Sequence, residues 1–154
     1  MVARGRGQII NVASILAFMP TPYFATYAAT KAFVLSFSEA LAHELRGTGV
    51  RVIAASPGIV KSEFSRVAGW AEQESALPKL TPDAVVQATL RAAESGRVVR
   101  VVGFAYRLLA VLDAITPRPM MRWIMGRVFA PRASSSQQRL PPDDGHARRQ
   151  QPAA

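Results

Sequence analysis

From Gly7 the chain reads GQIINVAS, and β-branched Ile9, Ile10 and Val12 make this a nearly continuous apolar run that predicts a short buried strand. From about Tyr23 to Arg46 the spacing turns helical. Phe33, Leu35, Phe37, Leu41 and Leu45 include the i, i+4 steps of an apolar stripe, and the Gly47-Thr48-Gly49 turn ends it. A second apolar run, VRVIAAS from Val50, stops at Pro57-Gly58. After a more polar stretch containing Trp70, Thr81-Pro82-Asp83 predicts a helix start, with Thr81 as N-cap and Pro82 in the first turn. That helix is expected to reach about Ser95 and end at Gly96, before a third strand from Arg97 to Val102.

Strand, helix, strand, helix, strand is the order of a parallel sheet with helical crossovers. Strands this uniformly apolar suit burial on both faces. In such sheets ligands gather at the carboxyl ends of the strands, where Ser14 and Pro57-Gly58 both fall. Residues 104–130 predict two short helices broken at Pro117-Arg118-Pro119, with arginines set among apolar residues. The polar, Pro-rich stretch 133–154 is expected to be disordered.

Charge adds one feature. The formal net charge is +9, and arginines crowd the last third, from Arg91 to Arg149. Residues 103–132 therefore read as a basic amphipathic extension, able to pack in an oligomer or to lie on a membrane surface with Trp123, Phe129 and the methionines in lipid. Nucleic acid is not expected as a partner, since no reading helix or aromatic platform accompanies the charge. The absence of cysteine excludes a disulfide scaffold and a cysteine zinc site. His43 and His146 are far apart and away from clustered carboxylates, so no metal site is expected. No run is apolar enough for a secretory signal or a membrane-spanning helix, and a cytoplasmic location, with peripheral membrane contact as an option, is the expectation.

The candidate chemistry lies in YAATK, where Tyr27 and Lys31 are one helical turn apart and meet on one face. A free tyrosine titrates near ~10 and is a poor base at neutral pH, whereas an ammonium beside it favours the phenolate. Such a phenol could give a proton to a carbonyl oxygen or take one from an alcohol. Ser14, closing the preceding strand, could hold that oxygen by a hydrogen bond.

Taken in order, GQIINVAS ending at Ser14, YAATK from Tyr27 and PGIVKS from Pro57 resemble the catalytic half of the short-chain dehydrogenase/reductase family over roughly residues 5–102. The resemblance implies an α/β fold, part of a Rossmann-type doubly wound parallel sheet with a C-terminal helical extension. It implies an oxidoreductase using NADP or NAD, with NADP slightly favoured, and acting on a small alcohol or carbonyl substrate. By the same resemblance Ser14, Tyr27 and Lys31 are catalytic. Lys31 also binds the nicotinamide ribose, and Tyr27, Pro57, Gly58, Val60 and Ser62 border the cofactor; the family more often has Thr at the last position. Leu16, Phe18, Met19, Phe64 and Trp70, apolar residues on loops at the strand carboxyl ends, are expected to line an apolar substrate pocket.

The family opens with a Gly-rich turn between its first strand and helix that cradles the cofactor diphosphate. No Gly-x-x-x-Gly-x-Gly run occurs here, nor does the helix bearing the family's catalytic Asn; Asn11 lies within a strand and does not replace it. The chain is therefore expected to be the C-terminal portion of such an enzyme. Its first strand should then lack a partner on one edge, and the chain should tend to self-associate. The alternative expectation is an inactive portion that serves as a basic membrane-surface or oligomerisation module.

Overall fold

The computed structural model describes residues 1–68 and 77–130. Three strands, β1 (Gly7–Val12), β2 (Val50–Pro57) and β3 (Val99–Val102), form a parallel sheet in the order β1-β2-β3. The register pairs Gly7 with Val50 and Val12 with Ala55, then Ala54 with Val99 and Pro57 with Val102. Helix α1 (Ala25–Glu44) crosses from β1 to β2. The short α2 (Phe64–Val67) and then α3 (Pro82–Glu94) lie between β2 and β3, and α4 (Phe104–Ile115) and α5 (Arg118–Phe129) follow the sheet. The alternation of elements is the α/β arrangement expected from the apolar pattern.

Local chemistry accounts for the boundaries. Thr81 caps α3, its Oγ1 accepting from Ala84 N at 3.3 Å, with Pro82 in the first turn where its missing N–H costs nothing. Gly47 and Gly49 both have positive φ, which lets the chain reverse between α1 and β2. Pro117 caps α5 and parts it from α4, and Pro119 sits in the first turn of α5, where its missing N–H costs nothing.

The central strand β2 is buried on both faces, with Val52, Ile53, Ala54, Ala55 and Ser56 all at 3 % exposure or less. β1 is not. Its burial alternates, and Ile10 and Val12 stand 39 % and 58 % exposed, because no described element covers the face they share with Gln8. The opposite face meets α1, where Asn11 Nδ2 donates to Ser38 Oγ at 2.9 Å and Ser38 donates to Val34 O. The expected apolar stripe on α1 also divides. Leu35 is buried, whereas Phe33 and Phe37 stack on each other on the exposed side, ring centroids 6.0 Å apart. Positions two apart point about 200° away from each other on a helix, so Leu35 cannot share a face with its aromatic neighbours.

Two cores result. Ala13, Leu35 and Ala54 pack between the sheet and α1. Ile15, Met19, Tyr106, Met121 and Met125 form a second cluster, which fastens α4 and α5 to the segment after β1.

Candidate active site

Ser14 stands two residues beyond β1 and caps a 3-10 turn, Ile15–Ala17, its Oγ accepting from Leu16 N at 3.2 Å. The residue is 7 % exposed, and accepting that bond leaves the hydroxyl its O–H to donate. The cap fixes the serine at the carboxyl end of the strand, so a structural role and a site role are compatible.

Tyr27 and Lys31 follow on the first turns of α1, both half-buried. The Lys31 ammonium lies 5.7 Å from the centroid of the Tyr27 ring and donates to Val12 O at 2.9 Å. That bond draws the second turn of α1 onto the last residue of β1, so the pair is anchored to the strand end next to Ser14. Two further N–H donors remain on the ammonium. The Tyr27 ring also meets Phe64 of α2, centroids 6.1 Å apart and planes inclined at 45°. Phe64 is 52 % exposed, which puts an apolar surface beside the phenol.

The third segment begins at Pro57, the last residue of β2. Gly58 and Val60 are half-buried and Ser62 is exposed. This loop is held on two sides. Lys61 N donates to Leu80 O at 2.8 Å and Leu80 N donates to Ile59 O at 2.7 Å, making a bridge to the segment before α3. Ile59 N donates to the hydroxyl of Tyr106, which donates to Pro78 O at 3.0 Å. Burial pushes the Tyr106 phenol up, only partly opposed by the Ile59 N–H, so it stays a neutral hydrogen-bonding group. Sequence reasoning did not single out Tyr106. It lies 47 residues from Ile59 in an apolar helix, and no local spacing announces the contact.

Of the residues expected to border a substrate, Leu16 and Phe18 pack against the second core and Met19 lies within it at 3 % exposure. Phe64 is open to solvent, and Trp70 lies outside the described residues. A basic hollow of about 390 Å³, lined by Arg4, Arg6, Gln8 and Arg51, sits at the amino-terminal end of the strands, away from Ser14 and Tyr27. No group of three or more metal-ligating side chains occurs among the described residues.

The hydroxyl, phenol and ammonium donors suit the nicotinamide-ribose end of a dinucleotide: Lys31 is already fixed with donors to spare, and the loop from Pro57 is braced rather than loose. The Gly-x-x-x-Gly-x-Gly turn that would cradle the diphosphate end does not occur in the sequence.

Comparison with known proteins gives a consistent answer. Residues 1–73 match the short chain dehydrogenase family. A very-long-chain 3-oxoacyl-CoA reductase of Mus musculus is 30 % identical over 128 residues, which cover 82 % of this chain and 39 % of the mouse protein. A short chain dehydrogenase from Burkholderia cenocepacia J2315, solved in complex with NADP, superposes with a TM-score of 0.63 at 32 % identity, covering 82 % of this chain and 48 % of that one. A short-chain dehydrogenase from Sphingobium yanoikuyae, solved with NADPH, gives a TM-score of 0.62 at 27 % identity over 91 % of this chain and 52 % of that one. The chain thus spans about half the length of these solved relatives, and less of the mouse protein.

Proposed function

Because the chain belongs to the short-chain dehydrogenase family, a family of oxidoreductases, we propose that its site transfers hydride between a nicotinamide cofactor, NADP or NAD, and an alcohol/carbonyl pair, with Tyr27 as acid/base. The observation that carries this is the anchoring of Lys31 to Val12 O beside Tyr27, one turn away on α1. A bound nicotinamide would supply or accept the hydride. In the reducing direction Tyr27 gives its phenolic proton to the substrate oxygen, and in the oxidising direction it takes that proton back. Ser14 orients the same oxygen with its O–H and stabilises the charge that develops there. Lys31 spends one donor on β1 and has two for the ribose hydroxyls. The Val60 backbone would meet a bound carboxamide with the Ser62 hydroxyl nearby, Pro57 and Gly58 would border the cofactor, and Tyr106 keeps that loop in place.

The substrate we propose is an apolar carbonyl compound or its alcohol. Phe64 offers an apolar surface next to the phenol, and the mouse relative is a reductase of very-long-chain 3-oxoacyl-CoA. With no Gly-rich turn in the sequence, cofactor binding by this chain is expected to be weak.

The test is turnover of an apolar ketone by the whole chain, with NADPH or NADH at concentrations high enough to offset weak binding. Tyr27→Phe is expected to lower the rate by about 10²- to 10⁴-fold. Turnover indifferent to that change, or none in the parent chain, would overturn the proposal.

A further inference from the structure

Helix α4 carries apolar side chains on both its inward and its outward side. Phe104, Leu108, Val111, Leu112 and Ile115 fall at i, i+4, i+7, i+8 and i+11, the spacing of one helical face, yet each is between 45 % and 77 % exposed. The inward side carries Tyr106, Leu109 and Ala110, which pack on the second core, and half-buried Asp113. An outward stripe of five large apolar side chains is more than the scattered exposure of an ordinary surface. On α5, Trp123 is 62 % exposed, with the Arg127 guanidinium 5.1 Å from its ring centroid.

The charge around this stripe is predominantly positive. Arg107, Arg118, Arg122 and Arg127 lie on the two helices, against a single acid, Asp113. Arg107 also belongs to a cluster with Arg91, Arg97 and Arg100, close enough that the three neighbours, after burial, push the Arg100 guanidinium down from its usual range. The buried Nε of Arg100 has no hydrogen-bond partner among the described residues. Like charges gathered beside an apolar stripe disfavour a second copy on this face, since a twofold contact would double them. An anionic, apolar partner would relieve them.

We propose that the outward face of α4, with Trp123 and the flanking arginines, docks on the surface of an anionic lipid bilayer. The apolar stripe enters the headgroup–acyl boundary and the guanidinium groups meet lipid phosphates. No described helix is long and apolar enough to cross the membrane, so the contact is peripheral.

Flotation of the whole chain with phosphatidylcholine vesicles, with and without phosphatidylserine, tests this. Binding to the phosphatidylserine vesicles should exceed binding to the neutral ones by tenfold or more, as expected at about fivefold per arginine engaged. The double variant Leu108→Glu/Ile115→Glu, at exposed positions where folding is retained, should lose about tenfold or more on the same vesicles. Arg107→Gln/Arg122→Gln/Arg127→Gln, all at exposed positions, should lose most of the dependence on lipid charge. Flotation unchanged in Leu108→Glu/Ile115→Glu overturns the proposal. So does an absence of vesicle binding, including the case in which the chain is a dimer that Leu108→Glu/Ile115→Glu dissociates.

Discussion

The ring of Tyr106 lies directly against Gly58, so close that a Cβ built on the glycine would overlap Cζ and Cε of the ring. Its hydroxyl accepts from Ile59 N at 3.1 Å and donates to Pro78 O at 3.0 Å. One side chain on α4 thereby sets the path of the loop after β2, and the glycine is what lets it approach. Gly58→Ala is expected to destabilise the chain by about 1–3 kcal/mol through overpacking. Tyr106→Phe should cost about 1–3 kcal/mol, because both backbone groups lose their shared partner. Urea unfolding measures both; an unchanged midpoint for Gly58→Ala would show that the ring does not sit against the glycine.

Lys31 and Tyr27 should fail in different ways. On the proposed reading Tyr27→Phe removes the proton donor and should act on kcat. Lys31→Met removes a charged donor and should raise the cofactor concentration at half-maximal rate by about 10- to 100-fold. It should also cost about 0.5–1.5 kcal/mol of stability, since the bond to Val12 O is lost. Steady-state kinetics with cofactor varied, beside urea unfolding, separates these effects. Identical kinetic changes in the two variants would argue against distinct roles.

The free edge of β1 carries a third expectation. Among the described residues β1 pairs with β2 alone, and Ile10 and Val12 are exposed beside its open edge. An unprotected, apolar edge invites pairing with another chain. The whole chain is expected to elute larger than a monomer in size-exclusion chromatography with light scattering. Ile10→Lys/Val12→Lys should shift it toward the monomer. A parent chain that is monomeric at micromolar concentration contradicts this.

The sequence made the α/β order legible because each element carries its own punctuation: Thr81-Pro82 opening α3, Gly47 and Gly49 closing off α1, and Pro117 parting α4 from α5. The adjacency of Tyr27 and Lys31 was legible because four residues is one helical turn. What could not be read is which face a residue takes when the tertiary surroundings decide it. Phe33 and Phe37 look like core positions by composition but face outward, and β1 looks like an interior strand but is covered on one side. Met19 follows Ser14 on what reads as an open loop, yet it is buried under Tyr106, Met121 and Met125, partners more than 80 residues away. The Tyr106 brace was invisible for the same reason.

Asp113 gives the fold a pH dependence of known sign. Burial raises its carboxyl above the ordinary value of 3.8, and the opposing pull of Arg118 is the smaller influence. In the folded chain Asp113 therefore holds its proton to a higher pH than it does unfolded. Its favourable contribution is fully present below 3.8 and is lost as pH rises through the folded value. At neutral pH the fold thus carries a half-buried, ionised carboxylate at a net cost. Asp113→Asn removes that cost and is expected to raise the unfolding midpoint at pH 7. The advantage should shrink on acidification and vanish below the unfolded value, where the parent carboxyl is protonated in both states. Thermal unfolding of both proteins from pH 3 to pH 8 measures this. A gain for the variant that stays constant across the range, or a loss at pH 7, would mean that Arg118 outweighs burial at this position.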